Sequence, residues 1–317
     1  MNSLFRMILN SFDSFVGNYA VAVILFTLLI KLLVLPLDIK SKKSMRAMTA
    51  VQPKIEELKA KYGKDPDKLN QKTMELYKKE KISPMAGCLP LLIQLPILFI
   101  MFGAMRDVAN EQTIAMIMDM ANQVANGIAP ENVTVAFDGF LWIKNLFQPD
   151  TFCSVLPAFG DKLSIIGAVD GSAILTAENI EAARAFLSTE TYAAIAAAHG
   201  AGQFISYPIP LLITTINFTV PNSLHSLLNC TNGLFILPLM AGATQWLMTK
   251  LTGTAGAQQQ GTGFMNWFFP IFSIYICLSY NAAFSLYWVV SNLIAMVQQY
   301  AVNKVLDMKE QKAKTAA

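Results

Sequence analysis

The chain has 317 residues, 54% of them hydrophobic and 14% charged, with a formal net charge of +3. A typical soluble domain is roughly 25% charged. Here no Asp, Glu, Lys or Arg occurs from Thr191 to Thr249 or from Leu251 to Asn303, which a soluble surface cannot spare, so an ordinary soluble enzyme is excluded.

Taken in order, the chain reads as a polytopic, all-α membrane protein. It has a five-helix transmembrane core, a cytoplasmic helical hairpin and an outer helical insert. Residues 1–18 carry Leu4, Phe5, Ile8, Leu9, Phe12 and Phe15 at helical spacing. They form either a helix in the outer interface or an extension of the first span. No removable signal peptide is expected, because the apolar run starts only at Tyr19, continues into Lys31 and has no small-residue cleavage site. A span needs about 20 largely apolar residues. The first runs over 19–37 and is interrupted by Lys31.

Residues 40–83 are basic yet ordered. Ile55, Leu58 and Tyr62 share one helical face that Gly63 ends. Asp65-Pro66 then reads as an N-cap and an N1 proline, opening a second helix to about Lys81 with Leu69, Leu76 and Tyr77 inward, which Ser83-Pro84 stops. Two short antiparallel helices satisfy this pattern better than a disordered basic loop. The second span, 89–105, contains Pro90 and Pro96, tolerated where neighbouring helices satisfy the freed backbone groups.

Residues 106–231 form a long loop with an insert. Glu111–Val124 and Thr176–Ala198 read as helices, and the aromatic-rich stretch Phe137–Phe147 suits a membrane surface. Phe204–Val220 is apolar but short and holds Pro208 and Pro210, so it reads as surface or re-entrant rather than a sixth span. The third span is 232–249, followed by a loop at 250–263. The fourth and fifth spans, 264–280 and 283–302, are joined by Asn281-Ala282, and a basic tail occupies 303–317.

Loop charge sets the orientation. Lys40 to Lys81 holds thirteen Lys/Arg against six Asp/Glu, whereas Arg106 to Thr231 holds four against eleven. The positive-inside rule places the first loop and the tail in the cytoplasm, with the N-terminus outside.

Little chemistry remains. The net charge is too small to suggest specific nucleic-acid recognition. Two histidines, His199 and His225, and four cysteines without C-x-x-C spacing leave little for a metal site. Gly-rich phosphate fingerprints and the G-x-S-x-G elbow are absent, so no catalytic residue and no cofactor is expected. Lys31 is the only ionisable side chain within the five spans, and such a charge marks a functional site or a wet cavity by default. The alternative is a lysine stem snorkelling about 9 Å to the cytoplasmic end. Asp38, two turns away, lies beyond easy reach as a partner. Thr27, Gln94, Thr244, Gln245, Ser285, Asn292 and Gln298 are the polar residues of the spans. Each alone suits an interhelical hydrogen bond. Together with Lys31 they could line one polar groove fitted to transient passage of a polypeptide.

Several blocks resemble the YidC-type membrane protein insertases. They are SMRAM at Ser44–Met48, QPKIEELKAKYGKDP at Gln52–Pro66, MELYKKE at Met74–Glu80 and GCLPLLIQLPI at Gly87–Ile97. ILPLMAG at Ile236–Gly242, LYWVVSN at Leu286–Asn292 and QQY at Gln298–Tyr300 continue the series. The resemblance implies a hydrophilic groove open to the cytoplasm and lipid, with Lys31 at the family's groove arginine and Trp288 at its last-span aromatic. The family's third-span glutamine aligns near Met248, with Gln245 one turn earlier. The implied substrate-binding set is Lys31, Thr27, Gln94, Gln245, Trp288 and Gln298.

The implied function is insertion of newly made hydrophobic segments from the cytoplasm into the bilayer of a bacterial cell membrane, without nucleotide. The implied partners are nascent membrane proteins and lipid, with the ribosome and a protein translocation channel as further candidates. The rival reading is a small-solute transporter with Lys31 as an anion site. This chain departs from the family's usual pattern in Lys31 itself, in Asn281-Ala282-Ala283 where relatives have Pro-Ala-Gly, and in the extra stretch from Thr151 to Thr231. Cys153 and Cys230 bracket that stretch, and a disulfide between them is a further expectation.

Overall fold

A computed structural model describes residues 2–80, 89–157, 167–169, 171–200, 204–210, 215–251 and 264–315. Its elements in chain order are α1 (Asn2–Val16), α2 (Tyr19–Ala50), α3 (Gln52–Tyr62), α4 (Pro66–Lys79), α5 (Leu89–Ala125), α6 (Ala177–Leu187) and α7 (Glu190–Ala198). Then follow β1 (Phe204–Pro210), β2 (Thr215–Pro221), α8 (Leu224–Asn229), α9 (Ile236–Leu251), α10 (Phe264–Ser279) and α11 (Ala282–Thr315). Among the described residues α2 is the helix long and apolar enough to cross a membrane, with a mean hydropathy of 2.7 over its best window, and Asn266–Ser279 is a shorter apolar stretch.

The chain divides into two units. The first comprises Met1–Phe26, Ile100–Met240 and Ile274–Trp288. Gly17, at φ 69°, ends α1, and the Asn18 side chain accepts from Val21 N at 3.2 Å to open α2. Leu9 is fully buried, whereas Leu4, Met7 and Phe15 point outward. An ion pair from Arg6 to Glu111 at 3.9 Å ties α1 to α5. The main core joins Ile114, Ile117 and Met120 of α5 to Ile180, Ala183 and Leu187 of α6 and Tyr192, Ile195 and Ala196 of α7.

Three expectations for the insert are corrected. The Ala-rich stretch Thr176–Ala198 is two helices. Thr176 caps α6 by accepting from Asn179 N, and Thr189 caps α7 by accepting from Tyr192 N. A hydroxyl residue competes with helix propagation by offering the backbone this alternative, and the fully buried Tyr192, donating to Pro157 O at 2.6 Å, fixes the second axis. Phe204–Val220, read within an all-α fold, forms an antiparallel pair with Phe204 opposite Pro221 and Pro210 opposite Thr215. Ile205, Tyr207 and Ile209, and Ile216, Phe218 and Val220, recur at period two. The prolines fit because each strand has one partner only. Cys153 and Cys230 are free thiols, not a disulfide. They flank a bridge between Ser154 and Thr231, so these backbones are joined without a covalent link.

At the α10–α11 link, Asn281 caps α11, its Oδ1 accepting from Phe284 N at 2.9 Å. Ala282 N and Ala283 N donate to Gln148 O and Leu146 O at 2.8 and 2.9 Å. Asn281 thus supplies a side-chain acceptor that closes the first turn.

The second unit comprises Thr27–Phe99, Ala241–Ser273 and Val289–Ala317. Helix α2 runs through Pro36 and past Lys40 to Ala50, since lysine and arginine are good helix formers. Met48, Val51, Ile55 and Tyr77 make a small core that holds α3 against α4. The Asp65 side chain accepts from Lys68 N at 3.1 Å, and Lys54 Nζ donates to Glu80 at 2.6 Å across the pair. Gly63 is required by proximity, because a Cβ there would lie 2.6 Å from Lys59 O. The expected stop at Ser83-Pro84 lies outside the described residues. Arg46 pairs with Asp307 and donates to Asn303 O at 3.4 Å, linking α2 to the helical tail of α11.

Candidate functional site

Thr27 and Lys31 stand one turn apart on α2, Thr27 fully buried and Lys31 half-buried. Residues four apart share a helix face. Pro36 has no N–H, so the Leu32 carbonyl loses its helical donor and the next turn of α2 becomes more polar than its side chains suggest. Gln298 of α11 reaches this stretch, its Nε2 donating to Lys31 O at 3.4 Å. The Gln298 Oε1 is buried and has no partner among the described residues.

A second polar contact joins α9 to α11, where Asn292 Nδ2 donates to Thr244 Oγ1 at 3.2 Å. Gln245 is half-buried beside it, its carbonyl accepting from Thr249 Oγ1 at 2.9 Å. Gln94 lies on α5, and its side chain falls outside the described residues. Lys31, Thr27, Gln245 and Gln298 thus belong to the second unit, with direct contact between Lys31 and Gln298. Trp288 belongs to the first unit. It packs 5.7 Å from Phe284, which stacks on Phe102 at 4.3 Å, and its indole N–H is buried without a partner among the described residues.

Sequence reasoning passed over a buried polar knot in the first unit. Asp150 is fully buried. Its carboxylate accepts from Leu234 N at 2.8 Å, Leu237 N at 2.6 Å and Trp142 Nε1 at 3.2 Å, so it caps α9 and satisfies N–H groups the helix leaves free. Fully buried Asn232 completes the knot, donating to Asn145 O and Pro149 O at 3.0 and 2.8 Å and accepting from Asn145 N at 2.8 Å. Gly233 must be glycine, because a Cβ there would lie 2.0 Å from Asp150 Oδ1. The available signals were an isolated acid after Pro149 and the turn-forming pair Asn232-Gly233 on the far side of the insert.

Among the described residues the protein is predominantly helical, with one helix long and apolar enough to cross a membrane and a polar contact between α2 and α11. The family model for the 60Kd inner membrane protein matches residues 11–311. The chain therefore belongs to that family, which its YidC-type motifs already indicated. It is 29% identical over 304 residues to the membrane protein insertase YidC of Fusobacterium nucleatum, covering 96% of this chain and 95% of that one. It is 27% identical to the protein of the same name from Magnetococcus marinus, over 95% of this chain but 35% of the longer relative. Against that of Caldanaerobacter subterraneus the identity is 52% over 92 residues, 29% of this chain and 45% of the relative.

Proposed function

We propose that this protein is a membrane protein insertase that takes hydrophobic segments of newly made proteins from the cytoplasm into the bilayer. Five spans, at 19–37, 89–105, 232–249, 264–280 and 283–302, cross the membrane with the N-terminus outside and the tail in the cytoplasm. Lys31, Thr27, Gln94, Gln245 and Gln298 line a polar groove, and Trp288 is a further proposed substrate-binding residue. The work is physical. Polar groups within the bilayer lower the cost of moving a substrate's hydrophilic end, a cost of several kcal/mol per charged group in hydrocarbon. Partition of the apolar segment into lipid then drives release. The helices α3 and α4 meet incoming chains, and the ribosome and a translocation channel are proposed partners at the basic cytoplasmic face.

The observation that carries this reading is the hydrogen bond from Gln298 to Lys31 O, beside a buried and unpartnered Gln298 Oε1. An unsatisfied buried amide oxygen costs about 1–3 kcal/mol, so a polar guest at this place is favourable. Site-specific photocrosslinking tests it. A crosslinker replacing Gln298 is expected to capture a stalled single-span nascent chain, while one replacing the outward-facing Met308 captures none. Equal capture at both positions would overturn the groove assignment.

A further inference from the structure

We propose that Leu141, Leu224 and Leu228 form a docking surface for the outer leaflet of the bilayer, carried by the exit of the insert. The inference rests on the reading of 106–231 as the outer loop of a membrane-spanning chain. All three residues lie in the first unit and face outward, 76%, 70% and 66% exposed.

Three observations select lipid as the occupant. The first is the conformation of Leu141. Phe140 and Ile143 exchange backbone hydrogen bonds at 2.8 and 2.9 Å, and the turn between them holds Leu141 at φ 54°. A leucine adopts this left-handed region at a cost, and here the cost leaves a large apolar side chain pointing into the surroundings. A turn facing water has no physical reason to keep leucine at that position.

The second is the join between this turn and α8. Lys144 Nζ, just after the turn, donates to Leu228 O at 3.3 Å, closing an otherwise free carbonyl in the last turn of α8. Leu224 and Leu228 lie four apart on one face of α8, while Ser226 is fully buried. The result is one apolar edge of two elements, with half-buried Trp142 and Lys144 beside it. Tryptophan and lysine are the residue types that settle at headgroup depth.

The third is continuity. The Asp150–Asn232 knot fastens Thr231–Leu237 to the start of α9, directly after α8. Leu234 and Leu239 are also exposed, so the apolar edge runs from α8 into the first turns of a helix proposed to enter the bilayer. No Asp, Glu, Lys or Arg lies anywhere from Thr191 to Thr249. A protein partner's docking face normally has a charged rim, whereas the charge beside this edge is Lys144, a residue type that settles at headgroup depth.

The test places a fluorescent unnatural residue by stop-codon suppression at Leu141, Leu224 or Leu228 of the full chain. The protein is reconstituted in phosphatidylethanolamine/phosphatidylglycerol vesicles. Exposed Asn132 serves as the aqueous control and Leu247 of α9 as the span control. At the three leucines we expect severalfold stronger quenching by lipids brominated near the headgroup than at Asn132, with shielding from aqueous iodide. Iodide quenching equal to that at Asn132 would overturn the proposal. So would shielding from both quenchers, which means a protein covers the patch. Lipid quenching at Leu247 with aqueous behaviour at the leucines defeats this inference alone, whereas aqueous behaviour at both defeats the spanning reading beneath it.

Discussion

The side-chain amide of Gln298 donates to the backbone carbonyl of Lys31 at 3.4 Å. A backbone contact of this kind does not depend on the lysine's charge, so the Lys31 side chain can be exchanged without removing the join between α2 and α11.

Substitutions at Lys31 therefore separate charge from structure. In a strain depending on this protein, Lys31→Arg is expected to support growth, Lys31→Gln to do so partly and Lys31→Met to fail, all at equal abundance. If the lysine only snorkels, Lys31→Met removes a desolvation cost and is the most stable of the three. Wild-type growth with Lys31→Met would remove the charge from the account.

Asp150 satisfies three N–H donors at once, from Trp142, Leu234 and Leu237. Asp150→Ala leaves them buried and unpaired, and the expected loss is about 2–4 kcal/mol, at one to three for each unsatisfied group with partial relaxation. Thermal unfolding followed by Trp142 environment, with steady-state abundance, measures it. An unchanged midpoint would mean that water replaces the carboxylate. Gly233→Ala should be at least as damaging, since its Cβ would overlap the same carboxylate.

The α3–α4 pair carries a pH signature. Hydrogen bonding and charge from Lys54 hold the Glu80 carboxyl below its ordinary range. An acid whose folded pKa is depressed adds stability above its unfolded pKa, and that stability is lost as pH falls through the folded value. Protease resistance of the α3–α4 region should therefore be flat from neutral pH to about pH 5 and fall below about pH 4, near the ordinary glutamate range. Glu80→Gln should flatten this acid limb. A limb equally steep in Glu80→Gln would assign it to other carboxylates.

Deleting Tyr62–Pro66 removes the turn and the Asp65 cap while leaving the spans' own apolar faces intact. Lost insertion with normal abundance is the expected result, read by substrate protection and immunoblot. Lost abundance would make these helices structural.

The sequence and structure agree where local chemistry decides and diverge where partners do. The Asp65-Pro66 start of α4 was legible because a capping side chain and an N1 proline act within one turn. The division of Thr176–Ala198 at Thr189 was not, since alanines favour one continuous helix and only the packing of Tyr192 makes the second cap worthwhile. The pair β1–β2 was missed because prolines and apolarity masked a period-two alternation that needs a partner strand to become meaningful. Lys31 stood out by composition alone. Its contact with Gln298, and the buried knot at Asp150, join residues far apart in the chain, which no periodicity reports. The proposed disulfide failed for a related reason: two cysteines bracketing an insert give proximity but not geometry, and the backbones there are joined by the Ser154–Thr231 bridge instead.

The central claim is that this protein moves an apolar segment into lipid without nucleotide. The most direct measurement reconstitutes purified protein in nucleotide-free liposomes and adds a short single-span protein. Protease protection of its translocated end is then scored for wild type, Lys31→Met and empty liposomes. The account predicts protection with wild type and values near those of empty liposomes with Lys31→Met. Protection no greater than in empty liposomes for the wild type would contradict it.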